Sequence, residues 1–431
     1  MAIRNTILDF SSLDNALQRD LGRVQETVQA AASDVSRNDV QRAHLVAAFN
    51  NAMGKLREEN KGSGILSSSE NALASRLQSY LVERALAENP GAAVQLRGEV
   101  LEVKFDNLDV FGWLPTGLRV LFKVNSHAWI PPAPVAVSVD DQVRIALFSD
   151  WGSGLYGAPK IRESIEKDEK GFQIVMHLGD TYYSGTKKEI QERLIDAFPR
   201  FGSTVLRRTL NGNHEMYSGG EGYFDKALSF LDQPSSCFAY QNSNWLLIGL
   251  DTAYIDHNLD EKDKNGANRT NQVEWLKKVI SDAGPERKVI LFSHHQPFSQ
   301  LDHQGPKIVA AMGDELLQRI HAWYWGHEHR CVIYSTHRRF GFRGRCIGHG
   351  GFPAFRDRFS SSGNDEYRWV SLSENDEAPA AQVLDGPNKF IQGEQNRYSP
   401  HGYVTLDIAR NECIESFFAA DGEQLRDPQK L

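Results

Sequence analysis

"FQIVMHLGD", residues 172–180, contains the pattern that best indicates the fold of this chain. It is a short apolar run that ends in Gly-Asp, and similar runs with polar ends occur in "VRIALFSD" (143–150), "NWLLIGLD" (244–251) and "KVILFSHH" (288–295). Short apolar runs that alternate with helical stretches are typical of strands buried in an α/β sheet. The sequence from residue 143 onward therefore predicts an α/β domain whose strands end in polar side chains.

Several of these strand ends carry side chains that can bind a metal. Asp150 and Asp180 end two of the runs, and His294 and His295 end a third. Because ligands gather at the carboxyl ends of strands in open α/β sheets, we expect these side chains to meet. Further donors come from "LNGNHEMY" (210–217), with Asn213, and from "WYWGHEHR" (323–330), with His327 and His329.

Histidines are concentrated in one part of the chain. Ten of the 14 fall between residues 214 and 349, which packing in a single α/β core does not explain. Carboxylate, amide and imidazole donors together form a mixed oxygen and nitrogen set that suits first-row metals. The candidate ligands are Asp150, Asp180, Asn213, His295, His327 and His329, a set too large for one ion, whereas Glu328 is expected to face away.

The order of these motifs resembles a known family. Asp, Gly-Asp, Gly-Asn-His-Glu, His-x-Pro and Gly-His-x-His follow one another as in the calcineurin-like metallophosphoesterases, over roughly residues 143–355 and the terminal hairpin. The resemblance implies a four-layer α/β/β/α sandwich with mixed sheets. It also implies a metal-dependent hydrolase that acts on phosphoric esters.

One position indicates the purple acid phosphatase variant of that family. Most of the superfamily has Asp-x-His at the first motif, but "DWG" places Gly152 where that histidine would stand. The purple acid phosphatase pattern supplies a tyrosine three residues after the second aspartate, and Tyr183 occupies that place. Tyr182 is out of register by this pattern and is expected to pack.

The resemblance also implies a pair of metal ions with Asp180 as a bridge. The first ion, expected to be Fe(III), takes Asp150, Asp180, Tyr183 and His329. The second ion, expected to be Fe(II), Zn or Mn, takes Asp180, Asn213, His295 and His327. Ions that share a carboxylate lie about 3.5–4 Å apart and can together clamp an in-line phosphoryl displacement.

The implied reaction is attack of a metal-bound hydroxide on the phosphorus of a small phosphoester. His214 is the expected partner of the leaving group, with Glu215 orienting it, and His294 and His303 are candidate phosphate contacts. The substrate stays open between monoesters and diesters, including cyclic nucleotides. A different class of function is a metal-binding scaffold whose N-terminal helices dock a partner.

The rest of the chain divides into regions that differ in composition and residue pattern. Residues 1–95 read as a helical region, including a helix over 69–88 with Ser69 as its cap, and 96–140 as a short β segment and linker. The catalytic domain covers 141–431, with a polar insertion near 356–397 that reads as a long loop or surface insertion. The helices are expected to form a cap or an oligomer contact, or to shield the cleft.

The composition limits the kinds of binding partner and the cellular location that we expect. The chain has 431 residues and a formal net charge of −8, so we expect neither nucleic acid nor an anionic membrane as a partner. Its four cysteines show no Cys-x-x-Cys spacing, and reduced thiols are expected. No apolar signal segment is evident, so a cytoplasmic protein is predicted. No phosphate-binding P-loop occurs, so a P-loop nucleotidase is not expected.

Overall fold

The computed structural model describes most of the chain from residue 126 onward and parts of the N-terminal region. The described residues are 25–26, 28–30, 32–33, 39–59, 71–88, 126–152, 154–356, 366–391, 393 and 395–431. The predicted helical segment before residue 25 lies outside them, and so do Ser69 and the part of the predicted β segment between 96 and 125.

Two helices lie in the N-terminal stretch that reads as helical. Helix α1 spans Asp39–Glu59 and helix α2 spans Ala72–Glu88. At the start of α2 the backbone N–H of Ala74 donates to Oδ1 of Asn71 at 3.0 Å. Asn71 therefore caps this helix, because its amide oxygen satisfies one of the N–H groups that the first turn leaves without a helical partner.

An extended segment leads from residue 126 into the catalytic domain. The carbonyl of Ala133 accepts a hydrogen bond from Nε1 of Trp275 at 2.7 Å, and the carbonyl of Ile130 accepts one from Ser235 at 2.8 Å. The segment ends in the short strand β1 (Val137–Ser138), which pairs in parallel with β5 (Phe238–Gln241). Side-chain and backbone bonds thus hold this segment against the domain.

The first of two sheets has six strands and carries the first metal-binding motifs. Its order is β15-β14-β13-β2-β3-β4, with the first three strands antiparallel to their neighbours and the last three parallel. The bounds are β2 Gln142–Phe148, β3 Ile174–His177, β4 Leu206–Thr209, β13 Gly402–Ala409, β14 Glu412–Ala419 and β15 Gln429–Lys430. β2 and β3 arise from the apolar runs at 143–150 and 172–180.

The second sheet has nine strands in the order β1-β5-β6-β7-β8-β10-β9-β12-β11. The other bounds are β6 Trp245–Gly249, β7 Lys288–Ser293, β8 Ile320–Trp325, β9 Cys331–Thr336, β10 Arg343–Ile347, β11 Arg368–Leu372 and β12 Ala381–Asp385. β6, β7, β8 and β10 run parallel, while β9, β11 and β12 pair antiparallel. Both sheets are therefore mixed, as predicted.

Helices cover the outer faces of the two sheets. The inner faces share one core, in which Leu147 and Met176 of the six-stranded sheet pack with Phe292 and Tyr324 of the nine-stranded sheet. The helices are α3 Ala158–Glu166, α4 Lys187–Glu189 continuing as a π-helix over Ile190–Ile195, α5 Asn213–Met216, a π-helix Gly222–Ala227 with α6 Leu228–Phe230, α7 Gln272–Ala283, α8 Pro306–Leu317 and a 3₁₀ turn Gln395–Arg397. Separate cores lie beneath α3 and beneath α7 and α8. The predicted four-layer α/β/β/α sandwich is confirmed.

The described part of the polar stretch near 356–397, which was expected to be a long loop or surface insertion, contains two strands. Its strands β11 and β12 pair with each other, and β12 pairs with β9, so the stretch extends the nine-stranded sheet. The buried carboxylate of Asp385 binds the guanidinium groups of Arg356 and Arg368. Polar composition suggested a loop, but ion pairs and strand pairing satisfy these charged groups within the sheet edge.

Two further expectations concern the thiols and the membrane. Cys237, Cys331, Cys346 and Cys413 are all buried and free, as predicted. Among the described residues, none of the helices combines the length and apolar composition that a membrane crossing requires.

Candidate metal centre

The site lies where β2 and β3 end side by side. Because these strands are parallel neighbours, the loops that follow them leave the sheet at the same edge. The backbone N–H of Asp150 donates to the carbonyl of Gly179 at 2.9 Å, which ties the two loops together. Asp150 and Asp180 are both fully buried there, so two carboxylates meet in a region that excludes water.

Four candidate ligands have a left-handed backbone. The φ angles are 53° at Asp150, 73° at Asp180, 67° at His327 and 53° at His329. Non-glycine residues rarely adopt positive φ, at a cost of roughly 1–3 kcal/mol each, and such residues cluster at functional sites. The chain thus turns sharply at the points where these side chains enter the site.

Glu215 holds two of the site loops in place. Its carboxylate accepts hydrogen bonds from the backbone N–H groups of Asp180 (3.1 Å), Thr181 (2.7 Å) and Gly212 (2.9 Å). Burial and the neighbouring charge of Asp180 raise the pKa of Glu215 to about 7. Position 212 must be glycine, since a Cβ there would overlap the carboxylate of Asp180. Glu215 therefore fixes the loops and does not itself reach the reacting groups.

The first cluster of donor atoms gathers around Asp150 and Asp180. Nε2 of His329 lies 3.4 Å from Oδ1 of Asp150 and 2.5 Å from the hydroxyl oxygen of Tyr182. The Tyr182 hydroxyl in turn lies 3.1 Å from Oδ2 of Asp180. Two carboxylates, one imidazole and one phenol therefore converge on one point.

Tyr182 takes the place that the sequence assigned to Tyr183, and this is a correction. The backbone N–H of Tyr183 donates to Glu189 at 2.7 Å, and its ring lies beneath the guanidinium of Arg193, 5.1 Å from centroid to Cζ. The family spacing counts three residues from the aspartate, but the turn after Asp180 brings the second residue into the cluster instead.

Gly152 explains why a tyrosine fits there. Gly152 stands where most of the superfamily has a histidine, and a Cβ at this position would meet the ring of Tyr182 at 3.2 Å. The backbone N–H of Tyr182 donates to the carbonyl of Gly152 at 3.0 Å. The ring of Tyr182 therefore occupies the space next to residue 152 that a side chain would need.

The second cluster of donor atoms shares Asp180 with the first. Nε2 of His294 lies 3.2 Å from Oδ2 of Asp180, 3.0 Å from Oδ1 of Asn213 and 3.3 Å from Nδ1 of His327. Nδ1 of His294 faces the carbonyl of Leu178 at 2.9 Å. A histidine whose far nitrogen donates to a carbonyl presents its other nitrogen as a ligand, which is the usual arrangement around metals.

His294, expected as a phosphate contact, thus joins the second cluster, and the expected ligand His295 lies beside it. Nδ1 of His295 lies 3.0 Å from the hydroxyl of Thr252, while Nε2 is buried without a hydrogen-bond partner. The ring of His295 stacks on His257 with 3.8 Å between centroids. His257, His295 and His327 form a further group whose nitrogen atoms lie within 4.8 Å of one another.

His257 is the residue that sequence reasoning missed. Its side chain is 33% exposed, in contrast to the buried histidines beside it. The available signal was its position in "DTAYIDH", shortly after the end of the apolar run at 244–251. His257 places an accessible imidazole at the edge of the second cluster.

The three residues expected to contact substrate lie in different environments. His294 belongs to the second cluster, as described. Nδ1 of buried His214 lies 2.6 Å from the carbonyl of Tyr183, and its Nε2 lies 3.9 Å from Oδ2 of Asp180. His303 is exposed, and its carbonyl accepts a hydrogen bond from Gln296 at 2.9 Å. Glu328 faces away, as expected, because Ser299 and Trp325 bind its carboxylate.

Burial and neighbouring charges shift the pKa values of the clustered groups. Burial raises the pKa of Asp150 well above its usual range. Burial would also raise the pKa of Asp180, but the imidazoles of His294 and His214 lower it overall. Burial opposes a charge on His294, yet the adjacent Asp180 raises its pKa to about 9. A proton on His294 therefore balances Asp180 in the absence of metal.

The remaining imidazoles are kept neutral, which is the form that binds metals. Burial lowers the pKa of His329 to about 3 and that of His327 well below its usual range. Oδ1 of Asp150 is buried with no hydrogen-bond partner, although buried polar atoms normally have one. Neutral imidazoles and an unpaired carboxylate oxygen together fit metal ions at both clusters.

Several solved structures are partly similar to this chain. A purple acid phosphatase from yellow lupin seeds is 15% identical, with a TM-score of 0.47, over 67% of this chain and 53% of that chain. The anchor protein of the Plasmodium inner membrane complex is 12% identical, with a TM-score of 0.46, over 67% and 88%. A predicted phosphoesterase from Streptococcus pneumoniae is 11% identical, with a TM-score of 0.29, over 68% and 100%. The chain thus spans about half the length of the lupin protein, and none of these similarities indicates a substrate.

Part of the sequence matches a known protein family. No curated protein matches the chain. Residues 143–331, which include every member of both donor clusters, match the family model described as calcineurin-like phosphoesterase. The donor clusters at the strand ends agree with that match. Residues 143–331 therefore form a calcineurin-like phosphoesterase domain.

Proposed function

We propose that this chain is a dinuclear phosphoesterase of the purple acid phosphatase type that hydrolyses small phosphate esters. The observation that carries the proposal is the position of Asp180. Its Oδ2 atom lies 3.1 Å from the hydroxyl of Tyr182 in one cluster and 3.2 Å from Nε2 of His294 in the other. One carboxylate placed between two sets of donors is suited to bridging a pair of ions.

The tyrosine supports the purple acid phosphatase variant over the common one. A phenol next to Asp150 and Asp180 forms a hard donor set, which we infer favours Fe(III) at the first cluster. Asn213, His294 and His327 with Asp180 form a softer set, for which Fe(II), Zn or Mn are the candidates. When bound, such ions supply a water of lowered pKa and positive charge for the phosphoryl oxygens.

His214 is the proposed proton carrier on the leaving-group side. The carbonyl of Tyr183 accepts from Nδ1–H of His214 and so fixes the ring, with Nε2 turned toward the clusters. Burial lowers the pKa of His214, which keeps Nε2 unprotonated until a proton reaches it. A proton released by the attacking water can be taken up at Nε2 and passed on to the leaving-group oxygen.

His257 and His303 are the proposed contacts for the rest of the phosphate. Both are accessible from the solvent, unlike the buried ligands. His257 stacks on His295, so its ring is held at the rim of the second cluster. Accessible imidazoles at that rim can donate hydrogen bonds to phosphoryl oxygens.

The direct test compares an aryl phosphate monoester with a bis-aryl phosphodiester. Wild type and Asp180→Asn are assayed with Fe, Zn and Mn supplied separately. We expect the wild type to hydrolyse at least one ester and Asp180→Asn to lose that activity, since both clusters lose their shared carboxylate. The preferred ester then separates a phosphatase from a phosphodiesterase, including one for cyclic nucleotides. A metal-loaded wild type that hydrolyses neither ester would favour a scaffold that binds a partner.

The cellular setting is also a proposal. Free buried thiols are compatible with a reducing compartment such as the cytoplasm. A small phosphoester is the proposed partner of the site, with neither nucleic acid nor a membrane as a partner.

A further inference from the structure

Helix α2 reaches the loop that carries Tyr182. The Ser79 hydroxyl donates to Oε1 of Glu189 at 2.8 Å and lies 2.7 Å from the hydroxyl oxygen of Ser184. These partners are 105 and 110 residues away in sequence, and all three side chains are at most 3% exposed. The contact therefore joins the N-terminal region to the catalytic domain through a buried carboxylate.

Glu189 holds the chain directly after Tyr182. Its Oε1 accepts from the backbone N–H of Tyr183 at 2.7 Å. Its Oε2 accepts from the backbone N–H groups of Ser184 and Thr186, each at 3.1 Å. A buried carboxylate that accepts several N–H groups fixes their positions, because each lost bond would leave a buried group unsatisfied.

Arg193 holds the other side of the same peptide group. Its Nη1 donates to the carbonyl of Tyr182 at 2.5 Å and lies 3.4 Å from Oε1 of Glu189. Glu189 and Arg193 are both 3% exposed, so their charges balance each other in a dry environment. The peptide between Tyr182 and Tyr183 is therefore held at its carbonyl by Arg193 and at its N–H by Glu189.

The buried face of α2 is adapted to this contact. Leu73 and Leu77 are buried on α2, and beside them lies a face of small and polar side chains that are at most 2% exposed: Ala74, Ser75, Gln78 and Ser79. A face meant only for apolar packing would carry larger aliphatic residues. The polar face matches the buried charges of the loop.

We propose that Ser79 is a positioning residue, which acts through Glu189 on the peptide that carries Tyr182 and thereby sets the metal affinity of the first cluster. The proposal rests on the assignment of Tyr182 as a metal ligand. It makes α2 an integral support of the metal centre. Residues that orient metal ligands through hydrogen bonds typically change metal affinity about 10–100-fold when they are altered.

The test compares Ser79→Ala with Ser79→Thr, which keeps a hydroxyl, in the full chain. Two quantities are measured: amide hydrogen exchange of residues 181–190 in the metal-free protein, and the dissociation constants of both metal ions in a chelator competition. Ser164→Ala is the matched control, because Ser164 on α3 donates a comparable bond to the carbonyl of Ala420 at 2.9 Å.

We expect Ser79→Ala to exchange faster over 181–190 and to bind one of the two ions roughly 10-fold or more weakly. Ser79→Thr should restore both properties at least partly, and Ser164→Ala should change neither. Unchanged exchange, or faster exchange with unchanged metal affinity, would overturn the proposal. Tyr182→Phe is measured in parallel: if it leaves both metal affinities intact, the ligand assignment fails. If it weakens one ion while Ser79→Ala does not, the ligand assignment stands and only the positioning role is refuted.

Discussion

The hydroxyl of Tyr182 lies 2.5 Å from Nε2 of His329, although the two residues are 147 positions apart in sequence. Asp180 adjoins this pair, since its Oδ2 lies 3.1 Å from the same hydroxyl. Burial and the two neighbouring aspartates raise the pKa of Tyr182 well above its usual range. Without a cation the phenol therefore keeps its proton, and a metal ion of high charge would be needed to displace it.

Replacing the two neighbouring tyrosines separately should give opposite results. A tyrosinate bound to Fe(III) absorbs visible light, so the protein purified in air with iron should be coloured. We expect Tyr182→Phe to lose the colour and to bind one ion less tightly, because its hydroxyl lies in the first cluster. Tyr183→Phe is the matched control and should stay coloured. Visible absorption and metal analysis provide the measurement, and a colourless wild type with full iron loading would exclude the iron assignment.

The adjacent histidines offer a second paired test. His294→Ala removes the nitrogen that lies near both Asp180 and Asn213, so the metal content should fall to about half. His295→Ala removes a ring that adjoins His327 but has no contact with Asp180, and we expect a smaller loss of metal with weaker activity on phosphate esters. Elemental analysis after gel filtration checks both variants. Equal metal loss in the two proteins would show that His295 is also a ligand.

Glu415 should be important for stability and not for chemistry. Its carboxylate binds the guanidinium of Arg345 and accepts from the hydroxyl of Tyr324 at 2.7 Å, in the core between the sheets. Breaking one partner of a buried ion pair typically costs roughly 3–5 kcal/mol. We therefore expect Glu415→Gln to lower the free energy of unfolding in urea by several kcal/mol. Glu412→Gln, which alters an exposed pair with Lys430, is the control and should have little effect.

His401 should make the folded state sensitive to acid. Its Nδ1 accepts from the backbone N–H of Gly157 at 3.2 Å and its Nε2 lies 2.9 Å from the carbonyl of Phe352. This geometry requires a neutral ring, and burial lowers the pKa of His401 to about 4. In the unfolded chain the pKa is about 6.5. The unfolded chain therefore binds a proton first as the pH falls.

The contribution of His401 to the free energy of unfolding is fully present above about pH 6.5 and is lost as the pH falls toward 4. The loss amounts to roughly 1.4 kcal/mol for each unit by which the folded and unfolded pKa values differ. We expect His401→Gln to lose less unfolding free energy than the wild type between pH 7 and pH 5. Urea unfolding with metal removed measures this difference. Identical losses in both proteins would contradict the prediction.

Much of the site could be predicted from sequence because strand ends place side chains at a common edge. Asp150 and Asp180 follow the apolar runs that form β2 and β3, and parallel pairing makes them meet. His327 lies in the second cluster and His329 in the first, and the family resemblance assigned them to different ions. Asn213 also lies where its motif indicated. The positions of these residues depend on where the strands end and where the chain turns sharply. The apolar runs and the motifs of the sequence indicate both.

Which of two adjacent residues in a turn faces the site could not be predicted in the same way. Successive residues of an extended chain point in opposite directions, so an error of one position exchanges an inward side chain for an outward one. The choices between Tyr182 and Tyr183, and between His294 and His295, are each of this kind. The ring of Tyr182 against Gly152 and the carbonyl of Leu178 against His294 decide them.

The apolar runs of the sequence were sufficient to predict an α/β domain, because periodicity is a local property, and the order of the motifs carried the resemblance that implied the α/β/β/α sandwich and the main oxygen and nitrogen donors. Only the tertiary structure decided which tyrosine and which histidine face the site, and that Ser79 touches Glu189 from 110 residues away. Such contacts depend on how turns and helices pack, and packing joins residues whose sequence separation gives no sign of their proximity.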